Sequence, residues 1–154
     1  MTANELQTIF GDAELLKREQ PYRAWFEDNP LPMWVFDLET CAFLEVNEAA
    51  IRHYRYGRQE FLTMTIKDIR PPEDVPRLLE RIHIGYRGRT QKMTGRHRTK
   101  DGRLLDVEVY AQKGTWNGRR AELVQIHDIS ELKRAEEALR NLSARLLQLQ
   151  DEER

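Results

Sequence analysis

The chain reads as an α+β domain followed by a long helix, and three observations carry that reading. Two short apolar runs, "MWVFD" (33–37) and "AFLEV" (42–46), have the length and bulk of buried strands. Residues 92–99, 104–113 and 120–127 have strand character and are joined by two tight turns, which makes three antiparallel strands in series. The C-terminal stretch carries a leucine repeat of helical period.

Each element has a local cause. Residues 4–20 place Leu6, Ile9, Ala13 and Leu16 on one face of a helix, which Pro21 interrupts. "NPLP" (29–32) breaks the chain before the first strand, and "LETC" (38–41) turns it into the second. Asn47 caps a helix through about Tyr54, with Glu48 in its first turn and Gly57 as its stop. Short helical pieces are expected at 58–63 and 65–69. "PPED" (71–74) then opens a helix to about Gly85, with Pro76 tolerated near its start. In the middle long strand Leu105, Val107, Val109 and Ala111 alternate with Asp106, Glu108, Tyr110 and Gln112. Asp101-Gly102 and Asn117-Gly118 supply positive-φ positions for the two hairpins.

Leu132, Ala135, Leu139, Leu142, Leu146 and Leu149 follow at spacings of 3, 4, 3, 4 and 3, an a/d heptad seam. The chain stops at "DEER" without a helix stop signal, so the segment is expected to continue in the native protein. Such a seam is too apolar to sit alone in water, and a parallel homodimer is expected to bury it. Folding of the tail onto the domain's own sheet is the alternative.

The composition excludes several classes. The 154 residues are 33% charged and 40% hydrophobic, which suits one soluble domain with a core and extra helix. A net charge of −1 offers no bulk attraction to nucleic acid or an anionic membrane. One cysteine excludes an internal disulfide. No apolar run approaches the roughly 20 residues of a membrane span. "MTANELQTIF" lacks the pattern of a signal peptide, so a cytoplasmic location is expected.

The order of elements, together with "VN" (46–47), "KDG" (100–102) and "DIS" (128–130), resembles a PAS domain over residues 22–130. The last mark is similar to the Asp-Ile-Thr motif of signalling PAS domains, with serine for threonine. The tail "AEEALRNLSARLLQLQDEER" (135–154) resembles the lead-in to the dimerisation and phosphoacceptor helix of bacterial sensor histidine kinases. The resemblance implies a PAS fold: a five-stranded antiparallel sheet, short helices over one face, and a ligand cavity between them. It divides the chain into an N-terminal amphipathic helix (1–21), the PAS domain (22–130) and a coiled-coil signalling helix (131–154).

On that arrangement Val107, Val109, Val124 and Ile126 face the helices and line the pocket, joined by Val35 from the first strand. Asp128 caps the exit helix with Glu131 as reciprocal partner, or pairs with a cation near the 98–103 hairpin. Asp128, Ser130 and Glu131 are therefore the expected transmission residues.

Other candidates have weaker support. His53, His83, His97 and His127 show no metal-ligand spacing, and no metal site is expected. His83 lies where haem-binding PAS domains carry their iron ligand, but no haem pattern follows it. Cys41 lies in a turn, away from the helix that flavin–cysteine photochemistry requires. No nucleophile elbow, phosphate loop or kinase ATP motif is present, so no catalytic residue is expected in this chain. Arg87, Arg89, Lys92, Arg96, Arg98, Lys100 and Arg103 put seven cations within 17 residues. They read as a loop and the polar face of a strand, paired with Asp106 and Glu108, in preference to a nucleic-acid surface. An inward arginine can instead hold an anionic ligand in bidentate fashion. Trp25, Phe26, Trp34, Phe36, Phe43 and Phe61 are expected in the core.

The expected function is sensory: the domain binds a small molecule or partner and biases a downstream histidine kinase through the coiled coil. The alternatives are a ligand-free PAS domain serving as dimerisation spacer, and a nucleic-acid binder acting through residues 87–103.

Overall fold

Five strands form one antiparallel sheet, and their spatial order sets the first strand beside the last. They are β1 (Met33–Asp37), β2 (Phe43–Val46), β3 (Gln91–Arg98), β4 (Leu104–Trp116) and β5 (Arg119–Asp128), in the order β2-β1-β5-β4-β3. Helices α1 (Glu48–Tyr54), α2 (Arg58–Leu62), α3 (Val75–His83) and α4 (Ser130–Glu152) accompany the sheet, with a 3-10 turn at Pro72–Asp74, and residues 23–27 are also helical. The computed structural model describes residues 23–83 and 90–153. The expected helix over 4–20, with its face of Leu6, Ile9, Ala13 and Leu16, lies outside the described residues, as do Gly85, Arg87 and Arg89.

Asn47 shows how side chains set the early geometry. Its Oδ1 accepts from Ala50 N–H, capping α1, and also from Met33 N–H at the start of β1. Its Nδ2 donates to the carbonyls of Phe26 and Leu31. Four hydrogen bonds satisfy this fully buried amide, so burial carries no unpaired polar group. α1 ends as expected at Tyr54, but its cap is Arg55 at φ 69°, and Gly57 is instead the N-cap of α2. The piece expected at 65–69 is a turn: Asp68 Oδ2 accepts from Thr65 N–H, and Thr65 bridges to Ala42. That side-chain bond competes with continued helix.

The hairpins differ from one another. Asn117 and Gly118 both have positive φ, 47° and 78°, between Trp116 and its cross-strand partner Arg119. This is the two-residue turn that the sequence predicts. In the β3–β4 hairpin only Gly102 has positive φ, 87°. Gly102 N–H donates to Thr99 C=O while Thr99 N–H donates to Arg103 C=O, which makes a three-residue loop with glycine at its left-handed position.

The sheet faces divide the core in two. Toward the helices lie Trp34, Phe36, Leu105, Val107, Val109, Val124 and Ile126, packed with Tyr54, Phe61, Ile66, Ile69 and Leu78. On the other face Val35 and Ala121 pack with Phe26. Trp25, expected in the core, is 76% exposed. The interior is closely filled by aromatic rings in edge-on contact, including Trp34 with Phe43 at 5.5 Å and Trp34 with Tyr54 at 5.4 Å between centroids.

Candidate functional site

Alternation fixes which side chains enter the space between sheet and helices. Val107, Val109, Val124 and Ile126 are all at most 2% exposed and face the helices. Val35 is on the opposite face with Phe26 and Ala121, so it cannot line a pocket with them. It is flanked in β1 by Trp34 and Phe36, and only one set of an alternating strand can face the helices. Val109 borders a cleft between α3 and β3, and Val107, Val124 and Ile126 are enclosed in the packed core.

That cleft has a volume of about 500 Å³. Arg70, Arg77 and Arg81 form one wall, Leu78, Met93 and Val109 the apolar floor, and Gly95 a bare stretch of strand backbone. A side chain at Gly95 would begin 3.7 Å from Arg70 Nη1, so the guanidinium lies directly against β3. At the mouth Arg96 donates from Nε and Nη2 to the two oxygens of Asp74, at 3.0 and 2.9 Å. Lys133 pairs with Asp106 at 3.6 Å.

Beneath the cleft is a polar cluster inside the core. Glu122 is 1% exposed and Arg81 approaches it at 3.6 Å, an ion-pair distance longer than a hydrogen bond. Among the described residues neither carboxylate oxygen of Glu122 has a hydrogen-bond partner, and Arg70 Nε has none. Burial pushes the Glu122 carboxyl up against the opposing pull of Arg81 and more distant cations. Burial, with some repulsion from Arg81, lowers Arg70 to about 10. His97 Nδ1 and the Tyr54 hydroxyl are hydrogen-bonded at 2.6 Å, and both residues are fully buried. Burial, then Arg70 and Arg81, holds His97 well below the ordinary histidine range, so the ring is neutral. Its Nε2 is also without a partner.

These residues were missed by sequence reasoning, although one signal was available. Glu122 is in phase with Val124 and Ile126, so the alternation that placed the valines inward also places a carboxylate inward. Arg70 has no such signal, because it follows an irregular turn.

A second cluster joins the sheet to α4. Asp106 N–H donates to Ser130 Oγ at 2.9 Å, and Ile129 N–H donates to Asp106 C=O at 2.9 Å. Asp128 Oδ1 accepts from Ser130 N–H at 3.0 Å, and Asp128 Oδ2 lies 2.7 Å from His53 Nε2. The partner of Asp128 is therefore His53 of α1, and neither a hairpin cation nor Glu131 takes that place. The hairpin's Lys100 instead pairs with Glu60 at 2.8 Å. Along α4 Leu132, Leu139, Leu142, Leu146 and Leu149 are each at least 51% exposed. The tail is not folded onto its own sheet.

The basic cluster is largely paired where it is described. Lys92 meets Glu108 at 3.4 Å across the strands, as the alternation predicts. Arg96 bonds to Asp74 although Asp106 is its cross-strand partner, because Asp74 offers a bidentate fork around the sheet edge. Cys41 is buried in the β1–β2 turn, and burial pushes its thiol up, which suits a packing residue. Among the described residues no group of three or more His, Cys, Asp or Glu is placed to hold a metal, and no helix is long and apolar enough to cross a membrane.

A family model described as the PAS fold matches residues 20–129. No curated protein matches the chain. Among solved structures it is similar to the PAS domain of an HTR-like protein from Haloarcula marismortui, at 22% identity and a TM-score of 0.68, covering 76% of this chain and 96% of that one. It is also similar to a domain of a sensory box sensor histidine kinase/response regulator from Geobacter sulfurreducens, at 24% identity and a TM-score of 0.63, covering 74% and 96%. A PAS domain from a two-component sensor histidine kinase aligns at 23% identity and a TM-score of 0.61, covering 76% and 99%.

Proposed function

The chain belongs to the PAS family, whose model spans residues 20–129, and from that premise we propose that it is a sensory module controlling a histidine kinase through α4. In this reading residues 22–130 sense a small molecule or partner, and 131–154 form a coiled-coil signalling helix in a parallel homodimer. One structural neighbour is a PAS domain from a two-component sensor histidine kinase and another is a domain of a sensor histidine kinase/response regulator, which supports the kinase context.

The observation that carries the proposal is the junction at the sheet's end. Asp106 and Ser130 exchange hydrogen bonds, and Asp128 is held by both Ser130 and His53. A shift in β4, β5 or α1 therefore reaches the first turn of α4. Beyond that turn the leucine seam is uncovered, and a two-chain coiled coil offers it discrete packings that a small displacement can bias. The ends of α1 and of the sheet act as the lever, and the seam as the bistable element.

The test is a chimera of residues 1–154 joined in heptad register to the phosphoacceptor helix of a sensor kinase. Autophosphorylation is measured with α4 unchanged, with four residues inserted after Glu152, and with seven. The four-residue insertion should change the kinase output, and the seven-residue insertion should preserve it. Output indifferent to both insertions would remove the coiled-coil relay.

The packed aromatic core favours a second reading, in which the domain is a ligand-free dimerisation spacer. Native mass spectrometry of the purified chain separates the two, since a spacer carries no bound small molecule.

A further inference from the structure

We propose that the cleft between α3 and β3 binds a small organic carboxylate, held by Arg70 and Arg77 with Arg81 behind them. The proposal rests on the reading of this chain as a ligand-responsive PAS domain, and it names the ligand class.

Among the described residues, charge pairing along the cleft leaves Arg70 and Arg77 of the arginine wall without a carboxylate partner. Arg96 is held by Asp74, and Lys133 by Asp106. Among the described residues Arg70 has no carboxylate at ion-pair distance, and its buried Nε has no hydrogen-bond partner. Among the described residues Arg81 pairs with Glu122, at 3.6 Å. A guanidinium pressed between α3 and the bare backbone of Gly95 is costly to bury without an acceptor. A planar carboxylate meets a guanidinium with two parallel hydrogen bonds.

The floor adds the second half of the specificity. Leu78, Met93 and Val109 offer an apolar surface beside the cations. An inorganic anion leaves that surface unused, whereas an organic acid covers it with carbon. A volume of about 500 Å³ lies within the roughly 300–1,000 Å³ of small-molecule sites. The site also has a route to the output helix. Asp106 and Lys133 border the same cleft, and Asp106 is the residue whose backbone holds Ser130. An anion entering beside the Asp106–Lys133 pair competes with Asp106 for Lys133 in the first turns of α4.

The experiment is an NMR titration of the ¹⁵N-labelled 154-residue chain with benzoate and succinate. Benzyl alcohol (the same ring without the charge) and inorganic phosphate (the charge without the carbon) are the controls. A carboxylate probe should give saturable shifts at the Gly95 amide and the Arg70 Nε–H, while benzyl alcohol gives none. Arg77→Gln removes an exposed cation that no core contact requires, and it should weaken binding about tenfold. Arg70→Met should abolish binding, and Gly95→Val should block it by filling the cleft; the amide spectrum of each variant reports folding.

No shift at either position up to about 10 mM of both carboxylates would overturn the proposal. So would phosphate binding without carboxylate binding, or full affinity in Arg77→Gln together with a folded Arg70→Met. Carboxylate binding with no effect on the kinase chimera would count against the relay alone. A working relay with no carboxylate binding would count against this site alone.

Discussion

His53 Nε2 lies 2.7 Å from Asp128 Oδ2, so the last residue of β5 is tied to α1 across 75 positions of sequence. Burial pushes the Asp128 carboxyl up, but hydrogen bonds from Ser130 and from His53 outweigh it and hold the group below the ordinary Asp range. A lowered folded pKa makes this a stabilising carboxylate above about pH 4, and the contribution is lost as pH falls further. Asp128→Ala should therefore cost about 1 kcal/mol at pH 7 and leave the sheet folded. Hydrogen exchange at the amides of Ser130 to Lys133 should accelerate in the variant. Unchanged protection there would dissociate Asp128 from the helix start.

His97 adds a second acid sensitivity of the same sign, in a higher pH window. Its ring is neutral when folded because burial, then Arg70 and Arg81, lowers its pKa far below 6.5. The unfolded chain binds a proton at about pH 6.5, so stability from this group is complete above that pH and declines below it. His97→Gln keeps an acceptor for the Tyr54 hydroxyl and removes the titration. Between pH 7 and pH 5 urea unfolding should show wild type losing about 2 kcal/mol more than the variant. Parallel pH profiles would mean that His97 takes up its proton in the folded state as readily as in the unfolded chain.

Glu122 and Arg81 should show strong coupling. Arg81→Met leaves a buried carboxylate without its cation and should destabilise by about 3 kcal/mol at neutral pH. Because burial raises the Glu122 pKa, the deficit should shrink as pH falls and the carboxyl protonates. Glu122→Gln added to Arg81→Met should recover most of the loss. Additive effects in this double-mutant cycle would show that the pair is not coupled.

The leucine seam makes the assembly testable. Leu142 is 56% exposed and Leu146 58% exposed, so neither is needed by the domain's own core. Leu142→Glu with Leu146→Glu forces four charges into a two-chain seam and should yield monomers with the sheet intact. Sedimentation velocity at micromolar concentration reads the mass. A dimer in the double variant would place the interface elsewhere.

Much of the fold was legible because its causes are local. Asn47 caps α1 through its own side chain, and Asn117-Gly118 adopts the positive φ that its turn demands. Val107, Val109, Val124 and Ile126 share a face because a pleated strand alternates. The same rule holds in β4 and β5, but in β1 Trp34 and Val35 are both buried, one on each face of the sheet, so apolar character there does not mark the inner face. The Asp101-Gly102 turn was found at the right place with the wrong geometry. Thr99 pairs with Arg103 and widens the loop by a residue, a choice that depends on how the flanking strands twist together.

By itself the sequence determined the order of strands and helices, the two hairpins, the inward set of β4 and β5, and the heptad spacing of the tail. Those features follow from backbone dihedral preferences and from periods of two and of three to four residues, which neighbours along the chain are enough to define. Only the tertiary structure decided that Asp128 meets His53, that Arg81 reaches Glu122, and that Arg70 lies against Gly95. It also decided that aromatic rings fill the space under α1 and α2, leaving the cleft beside α3. Such pairings bring distant residues together, and their energies depend on burial and on which partners the fold holds at hydrogen-bond distance. No local pattern encodes either quantity, so the polar cluster of this core could be found only after the chain was folded around it.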